Sequence, residues 1–263
     1  YRGGPAFYIA RGLRAPWAGS LFSIFLILSF GLVFNAVQAN SIADAMEGAF
    51  GLNKLWVGIA VAILSGIIIF GGIRQIARVA EVIVPVMAGL YLLLAIAVVI
   101  MNLSEIPGVL ALIFSHAFGL QEAAGGVTGG VLAAMLNGVK RGLFSNEAGM
   151  GSAPNIAAVA TPQPHHPSSQ GFVQALGVFI DTIVICTCTA IMILLSDVYQ
   201  FGGPIEGATL TQNALNEQFG AFGLYFIAVA IFFFAFTSII GNFAYAENAV
   251  SYTHLTLPTT PYV

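Results

Sequence analysis

Long apolar runs with almost no charge between them constrain this chain more than any other feature. Of its 263 residues, 58% are hydrophobic and 7% are charged. An ordinary soluble domain carries roughly 25% charged residues. Charge that sparse cannot coat a water-exposed surface of this size, so most of the surface must face lipid. The formal net charge of −3 also excludes a nucleic-acid binder, which needs a basic face. Two cysteines build neither a disulfide framework nor a cysteine-rich metal scaffold. The sequence therefore reads as an all-α, polytopic membrane protein.

A spanning helix needs about 20 mostly apolar residues. Clear candidates run over about 17–46, 55–73, 79–101, 171–195 and 221–250. The stretch 106–170 is apolar but interrupted by Gly125, Gly126, Gly129, Gly130 and Gly138, then by Lys140 and Arg141. It is predicted to form one broken membrane helix followed by a long polar loop, which brings the total to about six membrane helices. Alternating the spans puts Arg2, Arg11, Arg14, Arg74, Arg78, Lys140 and Arg141 on one side, with Lys54 alone on the other. Lys and Arg concentrate in cytoplasmic loops, so the first side is read as cytoplasmic. The opening YRGGPAFYIARGLR resembles an internal loop, and the chain is expected to be a fragment. Residues 1–250 are read as the membrane domain. Residues 251–263, where composition changes abruptly, are expected to be a non-native tail.

Polar residues at membrane depth are costly, and each asks for a reason. Asn35, Gln38 and Ser41 recur every three residues, along one side of a helix. They suit either interhelical hydrogen bonds or a zwitterionic ligand. Ser238, Asn242 and Tyr245 lie along one face of the last span. The adjacent hydroxyls of Thr237 and Ser238 suit Na⁺, a hard cation that prefers oxygen, or back-bonding to the preceding turn. Asp181 lies near mid-membrane, as a proton or cation relay or as a helix anchor. Thr182, Cys186 and Thr189 suggest a packing stripe. The paired glycines Gly125–Gly126 and Gly129–Gly130 permit an unwound backbone that lines a binding site. His165 and His166, in a Pro-rich loop, read as solvated, and His116 as a packing residue.

GLFSNEAGMGSAPNIAAVA (142–160) resembles the signature of the alanine or glycine:cation symporters, also called the sodium:alanine symporter family. YRGGPAFYI (1–9), FNAVQANSIA (34–43), GGIRQIARV (71–79), VPVMAGLY (84–91), VFIDTIVICTCTAIMIL (178–194) and FFAFTSIIGNFAYAEN (233–248) follow in the family's order. Phe34 replaces a usual Gly, and Asn242 stands where many relatives have Trp. The resemblance implies a partial leucine-transporter-type fold, two inverted five-helix repeats around a midplane site, of which this chain carries core helices three to eight. Helices one, two, nine and ten would be missing.

On that scheme Gln38 is the leading substrate contact, with Asn35, Ser41, Gly125, Gly126 and Asn242 as further candidates. Thr237 and Ser238 match the family's hydroxyl pair and are the sodium-ligand candidates. Asn146, Glu147 and Asp181 are expected to serve gating or structure. The implied activity is sodium-coupled uptake of a small neutral amino acid, alanine or glycine, across a bacterial cell membrane. The lipid bilayer is a further partner, sodium is the coupling ion, and no cofactor and no enzyme chemistry are expected. The alternative is a proton-coupled amino-acid transporter or exchanger on the same fold, with Asp181 carrying the proton.

Overall fold

The computed structural model describes residues 3–117, 132, 135–136, 138–140, 146–199 and 207–256. Among these residues the regular structure is helical. A short α1 (Pro5–Gly12) precedes α2 (Pro16–Phe50), α3 (Lys54–Ile69), α4 (Ile73–Met101) and α5 (Ile106–Ala117). After the signature come the short α6 (Glu147–Met150) and α7 (Ala153–Ala157), then α8 (Pro167–Leu194), α9 (Gly207–Phe219) and α10 (Ala221–Thr256). Among the described residues, four helices are long and apolar enough to cross a membrane: α2, α4, α8 and, over Ala221–Tyr252, α10. Gly125 and Gly126, with most of the predicted broken helix, lie outside the described residues.

The boundaries differ from the sequence expectation where glycines and backbone bonds decide them. The second predicted span shrinks to the 16 residues of α3. At 1.5 Å per residue that is about 24 Å, short of the roughly 30 Å hydrocarbon core. Hydropathy continues through Phe70, but Gly71 and Gly72 close a turn, with their amides bonded to Ile68 O and Ile69 O at 3.0 and 2.8 Å. Arg74 and Arg78 consequently sit in the first turns of α4 rather than in a loop. At the far end α10 continues past residue 250 to Thr256. Tyr252 is 3% exposed and meets Phe7 edge-on at 4.9 Å. The composition break at 251 is therefore not a structural break.

α10 is the central helix and lies against α2, α3, α4 and α9. It contributes Phe236, Ile239 and Ile240 to a core with Ile42, Val57 and Val61. Higher up, its Ile227 and Ala230 pack with Leu94, Val98, Met192 and Leu215. Lower down, its Tyr245 and Ala249 pack with Leu26 and Phe30. Helix α9 is locked to α2 by the buried Gln212, which donates to Ala45 O at 2.9 Å.

Two membrane helices contain π-helical stretches, Ile27–Val33 in α2 and Phe179–Ile185 in α8. Such turns insert a residue into the α register, and they concentrate at functional sites. Near the acidic end of α2, Lys54 Nζ pairs with Asp44 at 2.7 Å and Glu47 at 3.2 Å. Those two hydrogen bonds, Asp44 first, raise the Lys54 pKa above its ordinary value. The one basic residue on the acidic side is thus already matched by two carboxylates.

Both ends of the described chain meet on the basic side. Asn248 Nδ2 donates to Gly3 O at 2.9 Å and to Asn155 Oδ1 at 3.2 Å. Gly4, at φ 117°, passes so close that a Cβ there would lie 2.9 Å from Asn155 Oδ1. Gly19 makes a similar approach, because its Cβ would lie 2.6 Å from the Tyr252 hydroxyl and 2.7 Å from Ala6 O. A backbone oxygen cannot swing aside as a side chain can. Gly19→Ala is therefore expected to destabilise the protein by about 1–3 kcal/mol, the usual cost of overpacking, seen as a lower melting temperature in detergent.

Candidate functional site

Helices α2, α4, α8, α9 and α10 line an open cavity of about 680 Å³. Gln38 and Ser41 reach it from α2, Tyr91 from α4, Asp181 and Thr189 from α8, Thr211 from α9, and Thr237 and Ser238 from α10. Five residues singled out from the sequence, Gln38, Ser41, Asp181, Thr237 and Ser238, thus share one space. A larger hollow of about 740 Å³ lies elsewhere, between α1, α7 and the start of α8, and includes His165 and His166. None of the described substrate or sodium candidates lines it.

The hydroxyl geometry decides which atoms face the cavity as acceptors. Thr237 Oγ1 donates back to Phe233 O at 2.9 Å and Phe234 O at 3.0 Å. Ser238 Oγ donates to Phe234 O at 3.0 Å. A hydroxyl has one proton and two lone pairs. Spending the proton on the helix leaves the oxygen as a pure acceptor, which a hard cation requires. Back-bonding and cation binding are therefore compatible here. Ser41 behaves alike, donating to Val37 O at 3.1 Å.

Asn35 and Asn242 take another position. Asn242 Nδ2 donates to Asn35 Oδ1 at 2.9 Å, and Asn35 Nδ2 reaches Gly31 O at 3.3 Å inside the π-helical stretch. Neither lines the cavity. Residues three apart on a helix drift around its axis, so Gln38 and Ser41 face the space while Asn35 faces α10. The amide pair ties α2 to α10 just beside the cavity.

Two lining residues, Tyr91 and Thr211, carry hydroxyls that the sequence did not single out. Thr189 Oγ1 donates to Ile185 O at 3.0 Å, and it lies 2.6 Å from the Tyr91 hydroxyl. Since the Thr189 proton is spent, Tyr91 must be the donor, and its oxygen is left as an acceptor. The Tyr91 ring stands edge-on to Phe234 at 5.7 Å. A tyrosine in an apolar span needs a partner for its hydroxyl, and that was the available signal. Thr211 gave no comparable signal.

The signature segment meets the site through Asn146. Its Oδ1 accepts from Gly149 N at 2.7 Å and so caps α6, while its Nδ2 donates to Thr182 Oγ1 at 3.1 Å. Asn146 is buried and Glu147 is exposed. Glu147 O takes both the amide and the hydroxyl of Ser152, at 2.9 and 3.2 Å. Thr182 follows Asp181 on the π-helical stretch, so adjacent residues face the cavity and the signature. The predicted Thr182–Thr189 stripe instead divides its hydroxyls between α6 and α4.

The sequence profile of the sodium:alanine symporter family matches residues 1–259. The chain belongs to that family. Among its relatives are the amino-acid carrier protein AlsT and the probable sodium/glutamine symporter GlnT, both of Bacillus subtilis. They are 51% and 49% identical over 96% of this chain and 52% of their own length. The sodium/proton-dependent alanine carrier protein of Bacillus sp. PS3 is 42% identical over 86% of this chain and 53% of its own. The chain spans about half the length of the curated relatives it matches. The family and these relatives are transporters, and the apolar helices agree with a membrane protein.

Hydrogen bonds between membrane helices are worth about 0.6 kcal/mol on average, with an upper end near 1.7. Asn35→Ala and Asn242→Ala are each expected to destabilise the α2–α10 contact by about that much. A double-mutant cycle read by thermal unfolding in detergent should show them non-additive. Additivity would mean the amide bond contributes nothing.

Proposed function

We propose that the protein carrying this sequence is a secondary active symporter that moves a small neutral amino acid into a bacterial cell with sodium. The observation that carries this reading is the shared cavity, where the Gln38 amide on α2 faces the acceptor hydroxyls of Thr237 and Ser238 on α10. A zwitterion needs donors for its carboxylate and acceptors for its ammonium group, and the Gln38 amide offers both. Sodium needs oxygens without protons directed at it, and the back-bonded hydroxyls offer those. The helices are read as core helices three to eight of a leucine-transporter-type fold, with α2 as the third and α10 as the eighth. The described cavity would then be one part of the whole substrate chamber.

Coupling follows from shared binding. If sodium on α10 orders the cavity, the amino acid binds better, and by linkage the amino acid strengthens sodium by the same factor. Alanine is the first substrate to test, from the family's name. Glutamine is the second, because a relative 49% identical is named a probable sodium/glutamine symporter.

The test is uptake of labelled alanine, with glutamine as competitor, by proteoliposomes holding the full-length protein under inward Na⁺ or K⁺ gradients. Uptake should saturate and require sodium. Gln38→Ala should raise the KM for the amino acid by about tenfold, equivalent to about 1.4 kcal/mol of lost binding. Thr237→Ala with Ser238→Ala should raise the sodium concentration needed for half-maximal uptake, with the amino-acid KM at saturating sodium little changed. Uptake indifferent to sodium in the unaltered protein would sink the proposal.

A further inference from the structure

Hydrogen-bond donors are scarce in the cavity between α2, α4, α8, α9 and α10. The hydroxyls of Ser41, Thr189, Thr237 and Ser238 give their protons to backbone carbonyls, and Tyr91 gives its own to Thr189. Among the described lining residues, two side chains keep uncommitted donors, the Gln38 amide and the Thr211 hydroxyl. Thr211 is 9% exposed, and no hydrogen bond to a described residue engages its hydroxyl. A nearly buried hydroxyl needs a partner, and the open side of Thr211 is the cavity. Helix α9 also enters that space by its amino end. Gly207, Ala208 and Thr211 line the cavity at the start of the helix, while Gln218 near its other end accepts from Asn102 at 3.2 Å. The first amides of a helix have no helical acceptor, and the dipole adds positive potential there. No described atom stands within 4 Å of where a Gly207 Cβ would lie, which leaves room at this end.

Resting on the symporter reading, we propose that Thr211 and the first amides of α9 hold the carboxylate of the transported amino acid. The Thr211 hydroxyl donates to one carboxylate oxygen, and backbone N–H groups at the start of α9 donate to the other. The ammonium group then points away from α9, along α2. Gln212 donates to Ala45 O at 2.9 Å, which sets Thr211 beside that level of α2. Ser41 and Gln38 precede Ala45 by four and seven residues. At 1.5 Å per residue they lie about 6 and 10 Å nearer the basic side. The ammonium group of an amino acid held at α9 therefore meets the Ser41 oxygen first. That oxygen is an acceptor, because its proton is spent on Val37 O.

The other walls suit a carboxylate less well. A hydroxyl bonded back to its own helix accepts but cannot donate, so Ser41, Thr189, Thr237 and Ser238 suit an ammonium group or a cation instead. Among the described residues no lysine or arginine lines the cavity. Gln38 offers an amide but no positive potential, whereas a helix amino end offers both donors and potential. Helix α9 is also fixed in place, by Gln212 on α2 and by Gln218 beneath Asn102 of α4. Its donors are therefore positioned before the ligand arrives, which lowers the cost of binding.

The test uses the full-length protein in proteoliposomes under an inward sodium gradient, with labelled alanine as substrate and alaninamide as competitor. Alaninamide keeps the ammonium group and the methyl and lacks the carboxylate. In the unaltered protein it should compete about tenfold more weakly than unlabelled alanine, or worse. Thr211→Val removes the hydroxyl and keeps the shape. It should raise the alanine KM about tenfold, the loss of one hydrogen bond to a charged group, and leave inhibition by alaninamide nearly unchanged. Thr211→Ser should stay near the unaltered KM. Three results would overturn the proposal: alaninamide that competes as well as alanine in the unaltered protein, an unchanged alanine KM in Thr211→Val, or an equal loss for alanine and alaninamide in that variant. The first is read without any substitution, so a variant that fails to fold does not spare the proposal. Uptake indifferent to sodium in the unaltered protein strikes the symporter reading instead, and alanine can still be compared with alaninamide there.

Discussion

A polar atom at membrane depth must find its partner inside the protein, because lipid offers none. Helix α10 is where this chain meets that demand. Thr237 and Ser238 turn their protons into their own backbone, Asn242 bonds to α2, and Asn248 bonds to the loop before α1 and to α7. The same helix enters all three apolar cores. Its polar residues therefore both position the neighbours and leave selected oxygens facing the cavity. The site is a by-product of how α10 satisfies itself.

Much of the fold was legible because hydropathy and helix length are local properties. α2, α4, α8 and α10 begin or end within a few residues of their apolar runs. The end of α3 was not legible that way, since the turn at Gly71 and Gly72 cuts a run that hydropathy continues. The site was legible wherever one residue type had one plausible use. Gln38, Ser41, Asp181, Thr237 and Ser238 do converge on one cavity. Asn35 looked the same as Gln38 in the sequence, and only the placement of α10 separates them. Tyr91 takes its partner Thr189 from 98 residues away, which no local pattern reveals.

The π-helical stretches explain how neighbouring residues can serve different surroundings. In α2 the stretch offers the Gly31 carbonyl to the Asn35 side chain. In α8 it presents Asp181 to the cavity and Thr182 to the signature. Asn146 then joins a membrane helix to the first turn of α6 through one side chain. A single amide thus connects the chamber wall with the segment by which the family is recognised.

The bond from Asn248 to Gly3 closes a loop of 245 residues. At a synthesis rate of about 5–20 residues per second, the N-terminal segment waits on the order of ten to fifty seconds for that partner to emerge from the ribosome. The α2–α10 amide pair waits nearly as long, across 207 residues. During that interval α2 stands in the bilayer with Asn35, Gln38 and Ser41 lacking the helix that later covers them. Assembly therefore includes a stage at which α2 is inserted without its α10 partner, and whatever shelters that helix in the cell acts before α10 arrives.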